Sequence, residues 1–171
     1  MEENFENKYH DVETNHWWFK SRRKYLIDLE KLGTLKNANR IKQGYITTNK
    51  DAVVRVRVKN DKGYLTIKSS NIGASRLEFE YEIPLVEANE MLDKLCQKPI
   101  IDKDRYIVDF ANHIWEIDIF YGDNEGLVIA EVELEDENEH IELPLWIKEE
   151  VTGDIKYYNS NLMSYPYNKW K

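Results

Sequence analysis

The stretch VRVRV at residues 54–58 decides the fold class, because valine and arginine alternate there one by one. Successive side chains of a strand point to opposite faces, so this period of two predicts a strand with one apolar and one basic face. The alternation returns in LTIK at 65–68 and in LEFEYEI at 77–83. The same criteria predict further strands near residues 105–110, 115–120 and 127–134.

Short turn sequences separate these strands, namely DKG at 61–63 and GDN at 122–124. Short connections favour antiparallel pairing, because parallel pairs need long crossovers. A closed or nearly closed barrel also removes exposed strand edges. We therefore predict an α+β fold in which an antiparallel β-barrel carries flanking helices.

Two segments have the spacing of helices. Residues 13–32 are predicted to be helical, because leucines recur there at helical spacing and Gly33 follows as a stop. Pro84 opens a second helix, whose apolar stripe consists of Leu85, Ala88, Leu92 and Leu95. The tail from Pro144 is predicted to form a short helix and irregular structure packed against the body.

Composition limits the partners of this chain. Its 171 residues suffice for one domain with a sizeable core, and we expect a single domain over residues 1–171. The net charge of -8 should repel nucleic acid and anionic membranes, and no apolar run has the length of a membrane span. The single cysteine, Cys96, excludes an internal disulfide. These features predict a cytoplasmic protein with neither nucleic acid nor a membrane as partner.

Like-charged pairs recur on the predicted strands. Residues two apart share a face at about 7 Å, and five such pairs are Arg55 with Arg57, Glu78 with Glu80, Lys103 with Arg105, Glu116 with Asp118, and Glu131 with Glu133. Each pair costs free energy unless opposite charge lies nearby. Polyphosphate would satisfy the basic pairs and a divalent cation the acidic pairs. In an ordinary barrel these charges would instead face water and form weak ion pairs, and the pattern alone favours that alternative.

An ordered set of segments runs from Gln43 to the C-terminus. Its members are QGYI at 43–46, VRVRV at 54–58, GYLTIK at 63–68, RLEFEYEIP at 76–84, KDRY at 103–106, WEIDIFYG at 115–122, GLVIAEVELE at 126–135 and EVTGDIKYYNSNL at 150–162. This set resembles the CYTH family, also called triphosphate tunnel metalloenzymes. The resemblance implies an eight-stranded antiparallel tunnel with the charges pointing into its lumen, which reverses the preference drawn from the pattern alone.

The resemblance also implies roles for the charged side chains. It assigns phosphate binding to five residues, namely Arg55, Arg57, Lys68, Lys103 and Arg105. Of these, Lys68 and Lys103 are the candidates for stabilising charge on the phosphates during catalysis. Glu131 and Glu133 are the predicted metal ligands. The predicted supporting acids are Glu78, Glu80 and Asp118.

The N-terminal segment, at about residues 1–37, departs from the family pattern. Family members usually begin with Glu-x-Glu-x-Lys on the first strand, where the acids help to hold metal. The nearest match is NFENKY at 4–9, with Asn4 in the place of the first glutamate, Glu6 as a metal ligand and Lys8 as a substrate-binding residue. The overlapping stretch YHDVETNHWWFKSRR at 9–23 is similar to the N-terminus of certain SAM-dependent methyltransferases, but no glycine-rich SAM loop follows. A first strand and a foreign helical cap both remain open for this segment.

The function expected from the resemblance is hydrolysis of inorganic triphosphate or a related triphosphate, with Mg²⁺ or Mn²⁺ as cofactor. The partner would be a triphosphate or nucleoside triphosphate, and the protein a monomer or homodimer. Two alternatives remain: a polyphosphate- or nucleotide-binding module whose degraded first motif prevents turnover, and, less favoured, an adenylate cyclase.

Overall fold

The computed structural model describes residues 21–49, 52–69, 77–136 and 138–170, and their strands form one antiparallel sheet. The strands are β1 (Ser21–Ile27), β2 (Asn39–Thr48), β3 (Ala52–Lys59), β4 (Lys62–Ser69), β5 (Glu78–Ile83), β6 (Ile101–Phe110), β7 (His113–Phe120), β8 (Val128–Leu134) and β9 (Ile147–Glu150). The α-helices are α1 (Leu29–Leu32), α2 (Leu85–Lys94) and α3 (Asn159–Ser164). Three short 3-10 turns lie at Gly122–Asn124, Ile155–Tyr157 and Tyr167–Lys169.

The sheet has nine strands in the order β5-β4-β3-β2-β6-β7-β8-β1-β9, and it is open. The predicted antiparallel architecture with few helices is therefore confirmed, whereas the closed eight-stranded barrel is wrong for the described residues. The ninth strand is β9, which has four residues. It pairs with the edge of β1 that does not face β8, for example Tyr25 with Glu150. No backbone ladder joins β5 to β9 within the part of the chain that the structure describes.

Residues 21–27 form strand β1, so the helix predicted over residues 13–32 is wrong for this part, and residues 13–20 lie outside the described ranges. Only one helical turn, α1, follows, and the Asp28 side chain caps it by accepting from the backbone N–H of Glu30. The segment forms a strand because the side chains of Tyr25 and Ile27, two residues apart, are both buried in the core. The centre of the Tyr25 ring lies 5.6 Å from that of the Trp115 ring. Tertiary packing thus overrides the helical leucine spacing.

Tight hairpins connect the central strands. Ala111 and Asn112 join β6 to β7 with φ values of 48° and 63°, the left-handed conformation that two-residue hairpins require. Asn60, in the turn between β3 and β4, also has a left-handed backbone conformation, with φ 54°. Gly63, predicted to belong to a turn, lies instead inside β4, where a Cβ would stand 2.6 Å from the Cβ of Ala88. Glycine at this position lets helix α2 approach the sheet closely.

Two apolar regions of the outer face of the sheet are covered by other parts of the chain. Helix α2 begins directly after Pro84, as predicted, and buries Ala88 and Leu92 against Val56 and Val58 of β3. Leu95, predicted to belong to the same stripe, is exposed at the end of the helix. A second cluster on this face includes Trp115, Ile117, Ala130, Val132 and Trp146. The valine and leucine faces of the strands therefore point outward, beneath α2 and the segment around residues 141–146.

The opposite face, which we call the inner face, carries the charged pairs that the sequence singled out. Among the described helices only α3 packs on it, burying Leu162 and Met163 against a cluster that contains Tyr45, Ile101 and Phe120. This apolar cluster lies at one end of the inner face, where β6 begins and β7 ends. Farther along the strands the inner face is polar.

Candidate functional site

The inner face buries polar side chains that a flat solvated sheet would expose. Five of them are buried: Gln43, Thr66, Lys103, Asp118 and Glu131. Buried polar groups are stable only when they are hydrogen-bonded or paired. We infer that the sheet curves around this face, because no described helix other than α3 covers it.

Lys103, Arg105 and Asp118 form the buried centre of the site. Register pairs Arg105 of β6 with Asp118 of β7, and the carboxylate accepts from Arg105 Nε at 2.7 Å and Nη2 at 2.6 Å. Lys103 Nζ donates to the same carboxylate at 2.5 Å, and its side chain is 2% exposed. Burial raises the pKa of Asp118, but the two cations outweigh that effect and lower it to about 2. Burial lowers the pKa of Lys103 to about 8, although Asp118 opposes this change.

Arg105 links this centre to two further acids. It donates to Glu116 through Nη1, and its Nη2 lies 3.7 Å from Glu131 Oε2. Burial lowers the pKa of Arg105, but the hydrogen bonds and charges of these carboxylates outweigh it, so the pKa is raised. Arg105 is therefore a fixed cation at any accessible pH.

Among the described cations of the inner face, Arg57 has the weakest charge compensation. It donates to Gln43 Oε1 from both Nε and Nη2 at 3.2 Å, and no carboxylate of the described residues lies within 4.0 Å of it. Burial lowers the pKa of Arg57 to about 10, and the charges of Arg55 and Arg105 act in the same direction. A half-buried guanidinium with cationic neighbours and a neutral amide partner favours an incoming anion.

Arg55 and Lys68 extend the basic surface toward α3. Arg55 Nη2 donates to Thr66 Oγ1 at 2.9 Å and to Glu80 Oε2 at 3.1 Å, while its Nε is buried with no protein partner in the described ranges. Lys68 Nζ donates to Glu78 at 2.7 Å. Arg55 and Lys68 line a cavity of about 240 Å³ that also touches Tyr45, Thr48, Val53 and Ser160. An anion in this cavity would meet both cations.

The predicted metal ligands are ion-paired with strand β1. Register sets Lys24 opposite Glu131 and Arg22 opposite Glu133, and each cation bonds its partner carboxylate. Arg22 Nη1 also lies 3.7 Å from Glu131 Oε2. Burial raises the pKa of Glu131, but Lys24 and Lys103 outweigh it and lower the pKa.

These acids do not fit the divalent cation that the resemblance implies. A hard divalent cation needs several oxygen ligands that can turn toward it, and the oxygens of Glu131 and Glu133 already face lysine and arginine head groups. Among the described residues, no group of three or more His, Cys, Asp or Glu side chains is arranged to hold a metal ion.

The structure brings nearly all of the predicted site residues together. The ten that it describes all lie on the inner face: Arg55, Arg57, Lys68, Glu78, Glu80, Lys103, Arg105, Asp118, Glu131 and Glu133. Asn4, Glu6 and Lys8 lie outside the described residues. Sequence reasoning missed Arg22 and Lys24, although the alternation of Tyr25 and Ile27 with the intervening residues was a signal for a strand.

A model of the CYTH domain family matches residues 3–163. This chain belongs to the CYTH domain family. An inorganic triphosphatase of Acetivibrio thermocellus is 53% identical over 149 residues, which cover 87% of this chain and 96% of that protein. An inorganic triphosphatase of Nitrosomonas europaea is 34% identical over 144 residues, covering 82% of this chain and 93% of that protein. A solved inorganic triphosphatase structure matches with a TM-score of 0.68 at 30% identity, covering 86% of this chain and 96% of that one.

Membership of the CYTH family confirms the resemblance noted in the sequence. The triphosphate tunnel metalloenzymes of this family depend on a metal, which contrasts with the ion-paired state of Glu131 and Glu133. No described helix has the length and apolar character needed to cross a bilayer.

Proposed function

We propose that this chain is an inorganic triphosphatase that binds triphosphate on its inner face. The observation that carries the proposal is the cationic surroundings of the largely buried Arg57, which has Arg55 and Arg105 as neighbours and a neutral amide as its hydrogen-bond partner. A linear triphosphate offers several anionic oxygens, and forked guanidinium donors match their geometry. The activity of the two CYTH relatives supports the same substrate.

The proposed roles follow from position and charge. Arg55, Arg57 and Arg105 bind the phosphates, while Lys68 and Lys103 offset the charge that develops during hydrolysis. Glu78 and Glu80 orient Lys68 and Arg55 through direct hydrogen bonds. Asp118 orients Lys103 and Arg105, but it is a poor general base because its pKa is about 2. Asp118 therefore contributes positioning and charge compensation rather than proton abstraction.

The cofactor proposed from family membership is Mg²⁺ or Mn²⁺. The family pattern assigns this metal to Glu6, Glu131 and Glu133, but Glu131 and Glu133 are paired with Lys24 and Arg22 and do not fit it in that arrangement. Lys8 stays a candidate substrate-binding residue. We further propose one domain over residues 1–171 with an atypical segment at about 1–37. The remaining proposals are a cytoplasmic location and a monomeric or homodimeric state, with neither nucleic acid nor a membrane as partner.

The test is release of orthophosphate from inorganic triphosphate and from ATP by the purified full-length chain, each with Mg²⁺, with Mn²⁺ and with EDTA. We expect hydrolysis of inorganic triphosphate to exceed that of ATP. Binding of triphosphate without turnover under every condition would instead identify a binding module. Formation of cyclic AMP from ATP would identify a cyclase. Absence of both binding and turnover would refute the proposal.

A further inference from the structure

Strand β1 supplies two cations to the acidic part of the inner face. Arg22, Lys24 and Leu26 share one face of the strand, and β1 pairs with β8 so that Arg22 faces Glu133 and Lys24 faces Glu131. The Lys24 side chain is 17% exposed and that of Glu131 is 8% exposed, so this ion pair is largely removed from water.

A divalent ion would have to displace these cations before it could bind the two glutamates. For the largely buried Lys24–Glu131 pair this displacement is strongly unfavourable, because a buried charge is left uncompensated. The Arg22–Glu133 pair is more exposed, at 49% and 35%, and costs less to open. Three cations compensate the charge of the Glu131 carboxylate. Lys24 contacts it directly, and Arg22 and Arg105 each lie 3.7 Å from its Oε2. The local charge is therefore balanced by the protein itself.

We infer that Arg22 and Lys24 act as built-in cations that occupy Glu131 and Glu133 in place of a divalent metal, so that triphosphate binds to this chain without one. This inference rests on the proposed function. Arg22 and Lys24 are positioning residues, since they hold the two carboxylates in ion pairs and offset their negative charge beside the phosphate-binding arginines. Without them, the two glutamates would repel the triphosphate unless a metal intervened.

The inference is tested first by metal binding, which needs no catalytic activity. Mn²⁺ alone is titrated into the full-length chain and followed by electron paramagnetic resonance and by calorimetry. The variant Arg22→Glu replaces a built-in cation by a third carboxylate beside Glu131 and Glu133. Arg40→Glu is the matched control, because Arg40 is also a partly exposed arginine paired with two acids, Asp102 at 2.8 Å and Asp104 at 3.4 Å, on the opposite face. Circular dichroism verifies that both variants are folded.

We expect no specific Mn²⁺ site in the unaltered chain or in Arg40→Glu, and a gain of roughly tenfold or more in Mn²⁺ affinity in Arg22→Glu. Calorimetry with tripolyphosphate in EDTA completes the test. The affinity of the unaltered chain for tripolyphosphate should change less than about twofold when Mn²⁺ replaces EDTA. In EDTA, Arg22→Glu should bind tripolyphosphate roughly tenfold more weakly than the unaltered chain does.

Two results would overturn the inference: tight Mn²⁺ binding by the unaltered chain, or loss of its tripolyphosphate affinity in EDTA. Failure of the proposed function is distinguishable from both. If no tripolyphosphate binds under any condition, the substrate assignment is refuted, while the Mn²⁺ titrations still decide whether Arg22 excludes a metal.

Discussion

Replacing Asp118 by asparagine should destabilise the fold strongly, because it leaves two buried cations without their shared carboxylate. Asp118 is 1% exposed and accepts three hydrogen bonds, from Lys103 Nζ at 2.5 Å and from Arg105 at 2.6 and 2.7 Å. Removing one partner of a buried ion pair costs about 3–5 kcal/mol.

The acid titration of Asp118 gives an independent magnitude. Its pKa falls from the ordinary 3.8 to about 2 in the folded chain, which corresponds to about 2 kcal/mol of stability. The sign follows from the lowered pKa: the contribution is fully present above pH 3.8 and is lost as the pH falls toward 2. The variant should therefore lack this part of the acid dependence.

The assay is urea denaturation of the unaltered chain and of Asp118→Asn at pH 7 and at acid pH, with Asp102→Asn as the control. Asp102 accepts from Arg40 at 2.8 Å on the outer face of the neighbouring strand β6, where an ion pair contributes within about 1 kcal/mol. Tripolyphosphate should raise the melting temperature of Asp118→Asn more than that of the unaltered chain, because the freed cations attract it. Equal destabilisation by Asp118→Asn and Asp102→Asn would refute the reasoning.

Three further predictions concern binding, pH and packing. Arg57→Ala should weaken tripolyphosphate binding by about 1.5–3 kcal/mol in calorimetry, and the loss should be larger at low salt than at high salt. Lys42→Ala, on the outer face, should have little effect, and equal affinities for both variants would contradict the prediction. Tripolyphosphate affinity should fall as the pH rises through about 8, because Lys103 then loses its charge; if Lys103→Met, followed by the same calorimetry, shows an identical pH profile, Lys103 is not responsible. Gly63→Ala should lower the free energy of unfolding by about 1–3 kcal/mol, because the added methyl clashes with Ala88 and with the carbonyl oxygen of Ile83. An unchanged melting temperature in thermal denaturation would exclude that clash.

The alternation of residues predicted much of this fold. Val56 and Val58 are buried under α2 while Arg55 and Arg57 lie on the inner face, as the period of two and the family resemblance together imply. The period alone could not choose the inward face, because an ordinary barrel has the same alternation with the opposite orientation. The ordered family segments supplied the missing information.

The first strand could not be predicted from local pattern. Leu26, Leu29 and Leu32 have helical spacing, but they belong to a strand and to the following helical turn. Leu26 and Leu32 pack in two different clusters, and Leu29 is exposed. The deciding contacts come from β8 and β9, more than 100 residues farther along the chain. Local spacing contains no information about such partners.

The pairing of charges likewise depends on register. The sequence placed Glu131 and Glu133 on one strand face, but only the alignment of β1 against β8 brings Lys24 and Arg22 to them. A shift of one residue would move those cations to the outer face. The contrast between predicted metal ligands and observed ion pairs is therefore a consequence of tertiary register.

A crystal structure of the full-length chain with tripolyphosphate bound tests the central claim most directly. We predict phosphate oxygens within hydrogen-bonding distance of the Arg57 guanidinium, between Arg55 and Arg105 on the inner face. Tripolyphosphate bound only at the outer face, for example at Arg40 and Lys42, would contradict the account.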